Sequence, residues 1–159
     1  MTIENASGLA TAIIEQAADA VVFADLQGVI RLWNPAAEAL YGFLSAEAVG
    51  QSLDLIIPEN LRKAHWAAFD RAIQSGATRL GGHATVTRAL HKSGKRLYVD
   101  LSFALVKGRS GAVIGSTAVG RDATARFEEE KAMRNRLREL EGGAAGKTAP
   151  PSGATDRPA

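Results

Sequence analysis

The arrangement of apolar and polar residues predicts strands in two parts of the chain. Two apolar runs at 21–34 flank the turn at 25–28, which predicts a β-hairpin. Three further strand patterns follow at 78–90, 94–106 and 111–122. In the middle one, Leu97 to Leu105 place an apolar residue at every second position, as a strand with one buried face requires. These three segments should pair as consecutive antiparallel strands.

Helical spacing of apolar residues separates and flanks these strands. It occurs at residues 8–20, in short segments after Asn34 and Ser45, and most strongly from Glu59 to Ser75, which Gly76 follows as a helix terminator. A charged segment at 125–140 carries an apolar seam of Phe127, Met133, Leu137 and Leu140. The pattern therefore predicts an α+β domain flanked by amphipathic helices.

Composition excludes several classes of function. The chain has no cysteine, which rules out disulfides, thiolate metal sites and cysteine-linked chromophores. Its net charge is only +2, and no basic cluster alternates with aromatic residues, so we expect no nucleic-acid partner. No apolar run is long enough to span a membrane and no secretory signal is present, which predicts a cytoplasmic protein. Catalytic motifs are also absent, and we expect no enzymatic activity.

Four local motifs together resemble the PAS (S-box) sensor family. They are WNPAAEALYGF at 33–43, AVGQSLDLIIPE at 48–59, HKSGKRLYVDLSF at 91–103 and RDAT at 121–124. The resemblance implies a five-stranded antiparallel sheet with short helices on one face. Together with the helical patterns, it divides the chain into an N-terminal helical cap (1–19), a PAS sensor domain (20–124) and a C-terminal signalling or dimer helix (125–141). The remaining residues, 142–159, are rich in Gly, Ala and Pro, which predicts a disordered tail.

His65 is the main candidate for a cofactor ligand. It shares the apolar stripe of its predicted helix with Leu61, Phe69 and Ala72, so its imidazole should point inward. A neutral imidazole among apolar residues suits the proximal side of a haem iron. The placement also resembles that of the haem-binding PAS domains of the rhizobial oxygen-sensor type, in which a glycine, here Gly76, ends the helix eleven residues later.

The same resemblance assigns further residues to a haem pocket. Arg71 and Arg79 match basic positions that hold the haem propionates, and a guanidinium binds a carboxylate bidentately. Leu80, Leu101 and Phe103 match apolar distal positions. Thr85 departs from the family pattern, because oxygen sensors place there an arginine that binds oxygen.

Strand parity suggests one more distal candidate. His83 lies two positions before Thr85, so on a strand both side chains would point to the same face, toward the pocket. There His83 could either donate a hydrogen bond to a gas or bind the iron from the distal side.

Two hypotheses follow from these residues. In the first, the domain binds haem b through His65, responds to a diatomic gas (O2, CO or NO) or a redox change, and signals through its C-terminal helix. In the second, it is a haem-free PAS interaction module whose pocket is empty or holds a flavin or a metabolite. In both, the partner is a second copy or a separate signalling protein that contacts the terminal helices.

Overall fold

The computed structural model describes residues 6–79 and 82–145. The chain forms two compact units, and the boundary between them lies between Thr124 and Ala125. In chain order the elements are α1 (Ala6–Gln16), β1 (Ala20–Asp25), β2 (Ile30–Trp33), α2 (Pro35–Tyr41), α3 (Ser45–Ala48), a 3-10 turn (Leu53–Leu55), α4 (Glu59–Ser75), β3 (Thr85–Leu90), β4 (Arg96–Lys107), β5 (Val113–Asp122) and α5 (Thr124–Ala145).

The five strands form one sheet in the order β2-β1-β5-β4-β3, and every neighbouring pair is antiparallel. The predicted hairpin and the three consecutive antiparallel strands are therefore confirmed. The hairpin turn depends on Gly28, whose φ of +73° lies in the left-handed region. The α+β fold with short helices on one face of the sheet agrees with the sequence-based expectation.

The core lies between the inner face of the sheet and helices α2 and α3. Ile30 and Val99 are fully buried there, and the rings of Trp33 and Tyr41 contact each other at a centroid distance of 5.1 Å. Burial raises the pKa of the Tyr41 hydroxyl, because its ionised form would lose solvation.

One buried amide side chain joins three elements at the edge of this core. Asn34 Oδ1 accepts hydrogen bonds from the backbone N–H groups of Val21 and Ala37, at 2.8 and 3.0 Å. Its Nδ2 donates to the carbonyl oxygens of Ile14 and Asp19, both at 3.0 Å. Asn34 is thus the N-cap of α2 and also fixes the C-terminal end of α1 against β1.

The structure corrects two predicted boundaries. Strand β3 begins at Thr85, not at residue 78, because its register with β4 starts at the pair Thr85 and Leu101. Helix α5 continues to Ala145 and so includes residues 142–145, which were predicted to belong to a disordered tail. Extending a helix that has already formed avoids the cost of nucleation, and the glycines at 142 and 143 each cost only about 1 kcal/mol relative to alanine. The rest of the predicted tail, 146–159, lies outside the described residues.

Helix α5 is the main element of the second unit. Met133, Leu137 and Leu140 of its apolar seam are 66%, 54% and 67% exposed. Over the part of the chain that the structure describes, none of the helices has the combination of length and hydropathy needed to span a membrane.

Candidate functional site

A cavity of about 1280 Å³ lies between α4 and the inner face of the sheet. Its sheet side is built mainly from aliphatic and aromatic side chains of β1, β3, β4 and β5, including Val99, Leu101, Phe103 and Leu105. Its other wall is α4 together with the residues that follow it, up to Arg79. A concave, mostly apolar space of this size is typical of a site for a small molecule or cofactor.

Small residues on both walls explain why the space is not filled. Ala24, Ser116 and Ala118 line it from β1 and β5, and Ala68 and Ala72 line it from α4. Alanine and serine reach only a short distance from the backbone, so α4 and the sheet face each other across a gap.

Gly120 adds to this arrangement by admitting a large neighbour. A methyl group at Gly120 would come within 2.5 Å of Leu101 Cδ1, so glycine lets the Leu101 side chain lie over β5. Strand alternation alone could have identified the inward-facing small residues of β5, although the sequence analysis did not use that signal.

His65 lies half-buried on the helical wall of the cavity. Its Nδ1 is fully buried and has no hydrogen-bond partner. Burial lowers the pKa of the imidazole, and the negative charge of Asp54 only partly opposes this effect. His65 is therefore a neutral imidazole near pH 7, and the inward orientation expected from the helical pattern agrees with its position.

Two aromatic side chains of α4 lie beside the His65 imidazole. The Trp66 ring meets it edge-on, with centroids 5.0 Å apart and planes at 81°, and the Phe69 ring lies 6.2 Å away. Trp66 Nε1 donates a hydrogen bond to Asp54 Oδ1 at 2.9 Å. Sequence reasoning missed Asp54 and Trp66, because twelve residues separate them and no local pattern indicates that they meet.

Arg71 and Arg79 line the cavity from the end of α4 and the segment that follows it, and both are exposed to solvent. Their position at the solvent-facing edge leaves the guanidinium groups hydrated while the cavity interior stays apolar. They can therefore bind the carboxylates of a ligand whose hydrophobic part is buried.

The structure brings together only some of the predicted pocket residues. His65, Arg71, Arg79, Leu101 and Phe103 all line the cavity. Leu80 lies outside the described residues.

Two predicted distal residues do not line the cavity. His83 precedes β3, where strand alternation does not apply, and it is exposed, so the prediction that it faces the pocket is wrong. Thr85 is the first residue of β3 and is also exposed. Thr87 and Ala89 line the cavity from this strand instead.

The donor groups fit haem better than they fit a bare metal ion. Within residues 6–79 and 82–145, no group of three or more His, Asp or Glu side chains could hold a metal. A porphyrin supplies four nitrogen ligands to its iron, so one axial imidazole is enough. His65 would provide that imidazole, the apolar walls would suit the macrocycle, and the two arginines would suit its propionates.

Comparisons with known proteins agree with the observed fold. A family model described as the PAS fold matches residues 10–123. The oxygen sensor protein DosP of Escherichia coli (strain K12) is 27% identical over 129 residues, which are 81% of this chain and 16% of that protein. The sensor protein FixL of Bradyrhizobium diazoefficiens is 28% identical over 129 residues, 81% of this chain and 24% of that protein. The chain thus spans about a quarter or less of the length of these relatives.

Solved structures match the fold of the described chain. A PAS domain from Colwellia psychrerythraea has a TM-score of 0.67 at 24% identity, covering 76% of this chain and 99% of that one. An RNA-binding light-oxygen-voltage receptor has a TM-score of 0.68 at 22% identity, covering 88% of this chain and 38% of that one. At these identities the likeness concerns the fold alone.

Proposed function

This chain belongs to the PAS family of sensor domains that act in signal transduction, and from that premise we propose that it binds haem b through His65 and responds to a diatomic gas or a redox change. The observation that carries the proposal is the half-buried His65 imidazole on the wall of a large apolar cavity, where burial lowers its pKa and so favours the neutral form. An unprotonated ring nitrogen is what an iron ligand requires. When bound, the haem would supply an iron centre that takes up a gas or changes oxidation state.

His65 would hold the iron by Nε2, because its Nδ1 is the buried nitrogen. Arg71 and Arg79 would pair with the propionates at the exposed edge of the cavity. The apolar walls would exclude water from the space between α4 and the sheet. These three contributions would hold, orient and shield the cofactor.

The sheet would form the distal side of the site. Leu101 and Phe103 of β4 line the cavity from the wall opposite His65 and would keep the space on that side of the cofactor apolar. The name of one relative, an oxygen sensor protein, supports a gas as the signal. Because Thr85 stands where oxygen sensors place an arginine, the resemblance does not fix the gas, and O2, CO and NO are all candidates.

A signal would leave the cavity along β4. Leu101 and Val99 line the cavity, and Tyr98 on the same strand contacts the start of α5: its backbone N–H donates to Thr124 Oγ1 at 3.1 Å. The Ala123 N–H donates to the Tyr98 carbonyl at 2.8 Å. A shift of β4 that follows a change at Leu101 would therefore move the residue at which α5 begins.

The output would be a change in the position of α5. Its exposed residues Met133, Leu137 and Leu140 suit contact with a second copy or with a separate signalling protein. We propose that the domain itself catalyses no reaction and passes its signal through this helix.

Absorbance spectroscopy of protein purified with haem supplied tests the proposal. The wild type should show a Soret band, and His65→Ala should lose most of it because the iron has lost its axial ligand. His83→Ala is the matched control, since His83 is exposed and outside the cavity, and should keep the band.

Two outcomes would contradict the proposal. An undiminished band in His65→Ala would exclude His65 as the ligand. A wild type that takes up no haem would reject haem binding and favour the haem-free interaction module.

A further inference from the structure

Trp66 has no role in the site as described so far, yet it contacts the proposed iron ligand directly. It follows His65 in α4, and its ring meets the imidazole edge-on at a centroid distance of 5.0 Å. It also packs edge-on against Phe69 at 5.4 Å. The indole therefore limits rotation of the imidazole about its side-chain bonds.

A hydrogen bond fixes the indole to the turn that precedes α4. Trp66 Nε1 donates to Asp54 Oδ1 at 2.9 Å, and the acceptor is a carboxylate, which strengthens the bond. Arg62 in turn anchors Asp54: its Nη2 donates to the Asp54 carbonyl at 3.1 Å, and its Nε lies 3.7 Å from Oδ1. Asp54 is therefore held in place from two sides.

The hairpin turn between β1 and β2 closes the third side of the indole. The Trp66 ring packs directly on Gly28, where a methyl group would lie 2.2 and 2.3 Å from two ring carbons. The position of the indole is thus set by Gly28 and Asp54, which belong to two different elements and are independent of His65.

We propose that Asp54 and Trp66 are positioning residues for His65: Asp54 fixes the indole, and the indole fixes the plane in which the imidazole presents Nε2 to the haem iron. This inference rests on the proposed function. Outer groups that orient a histidine ligand generally contribute tenfold to hundredfold to metal affinity. Nδ1 of His65 is buried without a hydrogen-bond partner, so packing against Trp66 takes the orienting role that such a bond would otherwise have.

The matched test uses the two tryptophans of the chain. Trp66→Phe and Asp54→Ala each remove the hydrogen bond that fixes the indole. Trp33→Phe is the control, because Trp33 also donates its Nε1 hydrogen, to the Phe43 carbonyl at 3.0 Å, but its ring contacts Tyr41, whereas that of Trp66 contacts His65. The readouts are the iron–histidine stretching frequency of the reduced haem protein, the rate of haem loss, and the His65 ring signals in the NMR spectrum of the haem-free protein.

We expect Trp66→Phe and Asp54→Ala to shift or broaden the iron–histidine band and to raise the rate of haem loss about tenfold. The double variant should change the rate little further, because both substitutions break one interaction. In haem-free protein the His65 ring signals should move in these variants and not in Trp33→Phe.

An unchanged band and rate in both variants, or the same changes in Trp33→Phe, would overturn the positioning role. A folded wild type without a Soret band would instead reject haem binding itself, so the two failures are distinguishable. Unchanged His65 ring signals in the haem-free variants would refute the positioning role by a measurement that does not depend on haem.

Discussion

Asn34 offers a direct test of how the domain is held together, because one buried side chain makes four hydrogen bonds. It is 3% exposed, and its amide joins α1, β1 and α2. A net contribution of about 1 kcal/mol for each bond predicts that Asn34→Ala lowers the free energy of unfolding by about 4 kcal/mol. That is a large part of the roughly 5–15 kcal/mol by which a domain is normally stable.

Asn34→Asp separates the two halves of this network. A carboxylate keeps the acceptor for the N–H groups of Val21 and Ala37, but it cannot donate to the Ile14 and Asp19 carbonyls. Two lost bonds predict a decrease of about 2 kcal/mol at pH 7. The decrease should become smaller at acidic pH, where a protonated carboxyl group again donates one hydrogen bond.

Urea unfolding followed by tryptophan fluorescence measures both variants, and Asn60→Ala is the control. Asn60 is exposed on α4, so its removal should change the free energy of unfolding by no more than about 0.5 kcal/mol. A loss below about 1.5 kcal/mol in Asn34→Ala would show that water replaces these bonds and that Asn34 does not hold the three elements together.

Two further predictions concern the site and its surroundings. Gly28→Ala should lower the free energy of unfolding by more than Gly111→Ala. Both positions have a positive φ, which costs a residue with a side chain about 1–2 kcal/mol, but only at Gly28 does the added methyl group meet Trp66. Equal losses of the two variants in urea unfolding would refute the contact. In haem-free protein, burial lowers the pKa of His65. Below the ordinary histidine pKa of about 6.5, the unfolded state therefore binds a proton that the folded state does not. The free energy of unfolding consequently falls as the pH drops toward the lowered pKa. The urea midpoint should therefore decrease between pH 7.5 and 5.5 in the wild type and decrease less in His65→Gln; an equal decrease in both would exclude His65 as the cause.

The sequence predicted the fold well where one periodicity extended over many residues. The alternation from Leu97 to Leu105 and the apolar stripe of α4 each specify which face is buried, and this places His65, Leu101 and Phe103 on the cavity wall. The prediction failed before Thr85, because residues 78–84 contain two glycines and no apolar alternation that could locate the start of a strand. His83 was misplaced for that reason.

Contacts between distant segments could not be predicted from local patterns. Asp54, Trp66 and Gly28 belong to a 3-10 turn, a helix and a hairpin turn, and only the folded chain brings them together. The pattern around Trp66 shows an aromatic residue beside the inward-facing histidine, but it does not indicate which polar group receives the indole N–H. The contacts of Asn34 were missed for the same reason. The sequence Asn-Pro indicates the start of a helix, but it does not indicate that the side chain also donates to the Ile14 and Asp19 carbonyls.

The cavity itself links ligand binding to the stability of the domain. The small side chains of Ala24, Ala118 and Ala72 leave apolar surface facing the space, so the ligand-free protein lacks contacts that a filled core would have. A ligand that fills this space binds only the folded state, and at a free concentration one hundred times its Kd it adds about 2.7 kcal/mol to the free energy of unfolding. Because Val99 and Leu101 on β4 both line the cavity, such a ligand would contact the strand whose Tyr98 contacts Thr124, the first residue of α5. Under the proposed function, β4 would therefore connect the ligand to the segment from which the signal leaves.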